Sequence, residues 1–155
     1  PHRRYERAMA PPMAADALGR PRLHLDELLD ELNLPSSGVA LVEGVGGVRS
    51  PLAHDGDTIA LAEKLEPDYV VLVAPSGLGA VNDVLTSRDS LAGRWPLIVF
   101  LNRFDPKDPI HRRNLAWLRD REHLSLAVTP ERIAQCILKL HPNTLGSHAR
   151  TVEVQ

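Results

Sequence analysis

The sequence contains one cysteine, few aromatic residues and no apolar run long enough to cross a membrane, and each of these shortages excludes a class of protein. Cys136 alone cannot form an intramolecular disulfide or supply a zinc cluster, which favours a reducing, intracellular setting. Aromatic residues make up 4% of the chain and basic residues are spread along it, so nucleic-acid binding is not expected. The longest apolar runs fall far short of the ~20 residues of a membrane helix. We therefore expect a cytoplasmic protein without a membrane segment.

The sequence also lacks the phosphate loop of nucleotide-hydrolysing proteins. The pattern G-x-x-x-x-G-K-[ST] is absent, and no glycine is followed directly by lysine. A starting methionine is absent too, and no apolar run follows the opening PHRRYER, so the sequence predicts no secretory signal and is compatible with a piece of a longer protein.

The composition that remains is typical of one folded domain. Hydrophobic residues make up 43% of the 155 residues, and the formal net charge is -2. Both values are ordinary for a globular protein. A chain of this length buries roughly 70% of its unfolded surface, which is enough for one core. We predict a single α/β domain over residues 1–155, with residues 1–21 and 141–155 as loosely packed ends.

Apolar periodicity along the chain alternates between that of strands and that of helices. Short β-branched runs alternate with longer helical patterns, as they do in parallel βαβ units. This order predicts an open parallel sheet with helices on both faces. Capping signals mark two helix starts, at Asp57 and at Thr129 with Pro130. The predicted strands are residues 39–42, 69–74, 97–101 and 124–128, and the predicted helices are residues 23–32, 58–65, 80–93, 110–121 and 131–140.

Ligands of an open parallel sheet bind at the carboxyl ends of its strands, and the first such loop begins with Glu43. Three of the next four residues are glycine. A carboxylate directly after a buried strand can hold magnesium, and glycines beside it let a phosphate approach the backbone N–H groups. The dinucleotide-binding fingerprint does not fit, because Arg49 stands where it needs glycine. The alternative is a solvated strand end followed by a turn.

The second loop, residues 75–82, lies between a predicted strand and a predicted helix. Free N–H groups at a helix start attract a phosphate or a carboxylate, so this loop is a candidate anion site. An ordinary turn between strand and helix is the alternative. Ser76 has no evident histidine and aspartate partners and no G-x-S-x-G context, which disfavours a serine hydrolase.

The third loop begins with Asn102, after a strand that is apolar on both faces. A side-chain amide offers both a donor and an acceptor to the edge of a nucleotide base. Residues 102–105 also have the spacing of the N-K-x-D base-reading motif, with Arg103 in place of lysine, so binding of a guanine nucleotide is a separate hypothesis. The alternative is a simple turn, because two Asp-Pro pairs follow and such pairs form loops.

In order and spacing, these loops resemble those of dethiobiotin synthetases. That family carries V-x-E-G-A-G-G followed by a proline and a leucine, then a G-L-G-x-x-N turn, then a buried strand that ends in asparagine. The first motif corresponds here to residues 42–47 with residues 51–52. The second motif corresponds to residues 77–82, and Asn102 ends the strand. The resemblance extends over residues 5–140.

The resemblance implies a P-loop NTPase-like fold and an ATP-dependent carbon–nitrogen ligase of biotin biosynthesis. Such an enzyme closes the ureido ring of 7,8-diaminononanoate with CO2 and uses Mg2+, for which Glu43 is the implied ligand. It also implies a homodimer, with the substrate carboxylate at the start of the helix that begins at residue 80. The implied nucleotide-binding residues are Glu43, Gly44, Val45, Gly46, Asn102, Arg103, Thr129 and Pro130, and the implied substrate-binding residues are Gly79, Ala80, Val81 and Asn82.

The resemblance covers only the C-terminal part of the family's sequence. The family's first strand, phosphate loop and catalytic lysine are missing from this chain, so we expect no catalysis by this chain alone. One hypothesis is therefore a part or a shortened relative of a dethiobiotin synthetase. The other is a degenerate, non-catalytic dimerisation or nucleotide-binding module of the same fold. A G-x-x-x-x-G-K-T motif encoded just upstream would exclude the second hypothesis.

Overall fold

The computed structural model describes residues 3–35, 38–140 and 149–154, and it describes side chains as far as residue 139. The helices are α1 (Pro11–Ala17), α2 (Leu25–Glu31), α3 (Thr58–Leu65), α4 (Ala80–Leu91), α5 (Pro109–Asp120) and α6 (Pro130–Leu140). The strands are β1 (Val39–Glu43), β2 (Pro51–Ala53), β3 (Gly56–Asp57), β4 (Tyr69–Pro75), β5 (Leu97–Asn102), β6 (Ser125–Ala127) and β7 (Ala149–Val154).

Five of the strands form one parallel sheet in the order β1-β7-β4-β5-β6. Every neighbouring pair in it is parallel, and in the pair of β4 with β5 the last partners are Pro75 and Asn102. β2 and β3 form a separate antiparallel pair. The α/β fold with an open parallel sheet is thus confirmed, and each strand predicted from periodicity is present.

The core of the protein forms around β4 and β5. Residues 69–72 of β4 are all buried, and because successive side chains point to opposite faces, the sheet is covered on both faces there. Leu61 of α3, Val84 of α4 and Leu118 of α5 belong to the same apolar cluster. Full burial of each such leucine stabilises the fold by about 1.5–3 kcal/mol.

Local capping signals start two of the helices that cover this core. Oδ1 of Asp57 accepts a hydrogen bond from the amide of Ala60 at 2.9 Å, which confirms the predicted cap of α3. At α5, Oδ1 of Asp108 accepts from the amide of Ile110 at 2.7 Å, and Pro109 stands in the first turn. These caps fix where α3 and α5 begin, and α5 starts close to the loop that leaves β5.

The apolar run of β1 is not a buried strand, contrary to the prediction. Val39 and Leu41 are 61% and 67% exposed. The reason is the position of β1 at the edge of the sheet, where β7 is its neighbour among the described strands. An apolar run of four residues does not by itself distinguish an edge strand from a central one.

The two ends of the chain also differ from the predicted loose packing. Residues 11–17 form α1, in which Ala14 and Ala15 are buried, so part of the N-terminal segment belongs to the core. Residues 149–154 form β7, which pairs with β1 on one side and with β4 on the other. The remaining residues of the predicted C-terminal end, 141–148 and 155, lie outside the described residues. Among the described helices, none combines the length and the apolar character needed to span a membrane.

Candidate functional site

The carboxyl ends of β4 and β5 lie side by side and open into a cavity. Pro75 is the register partner of Asn102, so the loops that follow the two strands start next to each other. The cavity has a volume of about 520 Å³. It is lined by Val73, Ala74, Pro75, Ser76, Gly77, Asn102, Arg103 and His111. The second and third loops singled out in the sequence therefore contribute to one cavity.

Asn102 is held by two hydrogen bonds, one at its backbone and one at its side chain. Its carbonyl oxygen accepts from Oγ of Ser76 at 2.8 Å, and Ser76 is only 2% exposed. Its Oδ1 accepts from the amide of Arg103 at 2.9 Å. Among the described residues Nδ2 of Asn102 has no hydrogen-bond partner. Asn102 thus forms a turn, as the simpler interpretation predicted, and it also presents an amide donor to a ligand.

Arg103 has a left-handed backbone conformation, with φ of 54°. For an L-residue with a Cβ this conformation costs roughly 1–2 kcal/mol. Its exposed side chain lines the cavity beside Asn102. Strained backbone at the rim of a cavity is a feature of ligand-binding loops, so Arg103 stays a candidate base-contacting residue.

Asn114 of α5 supports the loop after β4, and sequence reasoning missed it. Its Nδ2 donates to the carbonyl oxygens of Ser76 at 2.9 Å and Gly77 at 2.7 Å. These bonds tie α5 to the loop that Ser76 in turn ties to Asn102. The available signal was an asparagine inside a helix, where it is a poor helix former, four residues before the buried Leu118.

His111 is the second residue of this site that sequence reasoning missed. Its Nδ1 accepts a hydrogen bond from the amide of Asp105 at 3.0 Å, and its ring lies 5.9 Å from the ring of Phe104. Asp108 lies one turn before it at the start of α5. The amide of Ile110 donates to this carboxylate and holds the pKa of Asp108 below its ordinary value.

The proposed substrate residues Gly79, Ala80, Val81 and Asn82 form the start of α4. Gly79 has φ of 93°, and no side chain caps the helix. The amide of Ala80 donates to the carbonyl of Gly77 at 3.2 Å. Asp83, in the same first turn, already places a carboxylate near this helix end: its Oδ2 lies 3.7 Å from where a Cβ on Gly79 would be. A substrate carboxylate bound here would meet that like charge.

Contacts within the chain explain Gly44 and Gly46, two of the three glycines after Glu43. A Cβ on Gly44 would lie 2.8 Å from Cγ2 of Thr58, and Gly46 has φ of 83° with Oγ of Ser50 2.5 Å from its would-be Cβ. The close approach that these glycines permit is therefore an approach of protein atoms. A phosphate is not needed to explain Gly44 and Gly46.

Glu43 and Val45 line a different cavity from Asn102. That cavity has a volume of about 300 Å³, and its walls include Arg3 and Tyr5 of the N-terminal segment. β7 and β4 stand between β1 and β5, so at the usual strand spacing the ends of β1 and β5 are roughly 14 Å apart. The three predicted loops lie at the same end of the sheet but do not share one cavity.

The metal ligand proposed from the sequence is one exposed carboxylate. Among the described residues no group of three or more His, Cys, Asp or Glu side chains is arranged to hold a metal ion. Mg2+ is often bound by only one or two carboxylates, with water and phosphate oxygens completing the octahedron. Glu43 fits that pattern as one ligand among several, and it does not fit a site made of protein groups alone.

Thr129 and Pro130 start α6, as the capping signal predicted. Oγ1 of Thr129 accepts from the amide of Arg132 at 3.3 Å, and Pro130 is the first residue of the helix. Ala127 is the register partner of Phe100, so the segment leaves the sheet beside the β5 loop. Neither residue lines the cavity that contains Asn102.

Comparison with known proteins finds one family and several relatives that the chain resembles. The family described as AAA domain matches residues 1–128. A protein of Haloferax mediterranei named ATP-dependent dethiobiotin synthetase BioD is 32% identical over 72% of this chain and 49% of its own length. One of Caulobacter vibrioides with the same name is 33% identical over 84% of this chain and 61% of its own length. The chain spans about half the length of the curated relatives it matches. No solved structure matches it.

Proposed function

The chain belongs to the AAA domain family, and on that premise we propose that it is part of an ATP-dependent dethiobiotin synthetase. The full enzyme would close the ureido ring of 7,8-diaminononanoate with CO2 in biotin biosynthesis. The observation that carries the proposal is the cavity at the ends of β4 and β5, where buried Ser76 donates to the carbonyl oxygen of Asn102 and Asn114 of α5 holds the loop after β4. Relatives that bear this enzyme's name match 72% and 84% of the chain.

In this proposal the cavity takes the base of ATP. Nδ2 of Asn102 donates to the base edge, and Arg103 and the segment of Thr129 and Pro130 flank it. The phosphates extend toward the loop of Glu43, Gly44, Val45 and Gly46, and Glu43 supplies one oxygen ligand to Mg2+. Mg2+ held there would offset the negative charge of the phosphates.

The substrate carboxylate is assigned to the start of α4, from Gly79 to Asn82, in a homodimer. This helix start attracts a carboxylate because the N–H groups of its first turn carry partial positive charge. Asp83 opposes this binding, because its carboxylate stands at the same helix end. Replacement of Asp83 by a neutral residue is therefore expected to tighten the binding of a carboxylate ligand. Replacement of a residue that contacts the ligand would instead weaken that binding.

One observation favours the alternative of a non-catalytic nucleotide-binding module. Two of the three glycines of the Glu43 loop, Gly44 and Gly46, are explained by contacts with Thr58 and Ser50, and Glu43 and Val45 line a cavity separate from that of Asn102. The base site would then remain while the phosphate and metal part has been lost. The two functions share Asn102 and differ at Glu43.

Calorimetry with two ligands separates these functions. Adenosine reports the base site alone, and Mg-ATP reports the base and phosphate sites together. We expect Asn102→Ala to weaken both ligands by about tenfold, the worth of one or two hydrogen bonds. Glu43→Ala is expected to weaken Mg-ATP and leave adenosine unchanged. Asn33→Ala, an exposed asparagine outside both cavities, serves as the control.

If wild type binds neither ligand, nucleotide binding and with it the synthetase proposal are wrong for this chain. If Glu43→Ala leaves Mg-ATP binding at the wild-type value while Asn102→Ala weakens it, the non-catalytic module is the better description. Circular dichroism of each variant establishes that a loss of binding is not a loss of fold.

A further inference from the structure

One ring nitrogen of His111 accepts a hydrogen bond from the backbone of the loop after β5. The amide N–H of Asp105 donates to Nδ1 of His111 at 3.0 Å. A nitrogen that accepts a hydrogen bond carries no proton, so the neutral imidazole holds its proton on Nε2. The loop after β5 thereby makes Nε2 a hydrogen-bond donor.

That donor faces the cavity at the ends of β4 and β5. His111 lines the cavity together with Asn102 and Gly77, and its side chain is 18% exposed. A Cβ built on Gly77 would lie 3.8 Å from Nε2. Nε2 therefore lies beside Gly77 in the lining of this cavity.

Within the described part of the chain, Nε2 has no hydrogen-bond acceptor. Oδ2 of Asp108 is 3.8 Å away, which is too far for a hydrogen bond. Oδ1 of the same carboxylate is committed to the amides of Ile110 and His111 at the start of α5. A tilted ring contact with Phe104, with centroids 5.9 Å apart, also packs against the imidazole. A preoriented donor without a partner is suited to bind an acceptor on a ligand.

We propose that Nε2–H of His111 binds an acceptor atom on the edge of the nucleotide base, so that His111 and Asn102 read the base together. This inference rests on the proposed function, since it needs a base in this cavity. The two donors differ in origin. Asn102 lies at the end of β5, whereas His111 belongs to α5 and depends on the Asp105 loop for its orientation. His111 is thus a specificity-determining residue outside the motifs found in the sequence.

Nitrogen-15 NMR of the imidazole tests the protonation directly in the free protein. We expect Nε2 of His111 to carry the proton and Nδ1 to show the signature of an unprotonated acceptor. On titration with adenosine the Nε2 resonance should shift while Nδ1 stays bound to Asp105. A proton on Nδ1 would overturn the proposal. So would a shift of Nε2 with inorganic phosphate and none with adenosine, because the acceptor would then be a phosphate.

Two variants separate the role of Nε2 from that of Nδ1. His111→Gln keeps a donor near the position of Nε2, and His111→Asn keeps an acceptor near the position of Nδ1. We expect the Asn variant to bind adenosine about three- to tenfold more weakly than wild type, the worth of one hydrogen bond, and the Gln variant to retain most of the affinity. Equal affinities for both variants and wild type would contradict the proposal.

The same titration distinguishes failure of this proposal from failure of the proposed function. If adenosine shifts the amide resonances of Ser76 and Asn102 and leaves His111 unchanged, the base is bound without His111 and only the present inference is wrong. If none of these resonances moves, no base enters the cavity, and the proposed function and this inference are both overturned.

Discussion

Two regions of one sheet edge differ in how firmly their candidate residues are placed. At the ends of β4 and β5, Ser76, Asn102 and Asn114 are joined by hydrogen bonds of 2.7–2.9 Å that connect two strands with α5. At the end of β1, Glu43 stands on an edge strand whose described neighbour is β7. Side-chain hydrogen bonds thus join the first region to α5, whereas the second region follows an edge strand.

The glycine loop of the β1 region has contacts of its own. Its backbone packs on Thr58 and Ser50, so it is shaped by local contacts rather than by a link to the β5 loop. A ligand that spans both regions needs both to keep their spacing, and this spacing is set by β7. Two motifs at the same end of one sheet can therefore be held by different kinds of contact.

The largest expected effect comes from breaking the strand that joins the two regions. Val152 of β7 has Val42 as its partner on one side and Val70 on the other. Val152→Pro removes a backbone donor and restricts the chain in the middle of the sheet, which is expected to cost about 3 kcal/mol or more of unfolding free energy. Hydrogen exchange followed by mass spectrometry should show residues 39–43 losing protection before residues 97–101.

Val39→Pro is the matched control for that experiment. Val39 is the first residue of the edge strand β1, a position that tolerates proline, and its variant should lie within about 1 kcal/mol of wild type. If Val152→Pro unfolds both regions together, or leaves β1 protected, then β7 is not what holds β1 against β4 and the contrast between the regions disappears.

The next effect tests the hydrogen bonds of the β4–β5 region. Asn114→Leu keeps the shape of the side chain and leaves the carbonyl oxygens of Ser76 and Gly77 without their donor. Loss of such partners costs about 1–3 kcal/mol, measured by urea unfolding. We also expect residues 76–79 to exchange faster while residues 44–47 keep the wild-type rate.

The same change at exposed Asn33 should alter stability by no more than about 0.5 kcal/mol. An equal loss at both positions would mean that leucine itself, and not the lost hydrogen bonds, destabilises the protein. Faster exchange in residues 44–47 of Asn114→Leu would mean that the two regions are coupled more closely than the hydrogen bonds indicate.

Local signals in the sequence were sufficient for the central elements. The Asp57 cap, the start of α6 at Pro130 and the apolar run of β5 each act over a few residues, and all three are confirmed. Asn102 could be found for the same reason, because it directly follows a buried strand. The start of α2 was less accurate: it begins at Leu25, because the carbonyl oxygen of Leu23 accepts a hydrogen bond from the amide of His54 at 2.9 Å instead of from the next helical turn.

What the sequence could not predict depends on contacts between distant residues. The edge position of β1 follows from which strands pair with it, and β7 pairs with it from more than 100 residues further along the chain. Asn114 and His111 look like ordinary helix residues until α5 is placed over the β4 and β5 loops. A pattern of period two or 3.6 carries no information about such placement.

The smallest expected effect has the opposite sign and concerns the left-handed residues of the two regions. In the β1 loop this conformation belongs to Gly46, whereas in the β5 loop it belongs to Arg103 with φ of 54°. Arg103→Gly should relieve the strain and, after the entropy cost of glycine, raise unfolding free energy by up to about 1 kcal/mol. If Arg103 contacts a bound base, the same variant should bind adenosine more weakly.

Ala92→Gly is the control, because Ala92 has φ of 52° at the end of α4 and does not line the cavity of Asn102. It should gain a similar stability and bind adenosine as wild type does. Only a difference between the two variants in binding, with equal gains in thermal unfolding, would show that the strain at Arg103 is kept for a ligand. Unchanged binding in both variants would remove Arg103 from the site and leave Asn102 as the residue of the β5 loop that contacts the base. The β5 turn would persist in that case, because the bond from the amide of residue 103 to Asn102 does not require an arginine side chain.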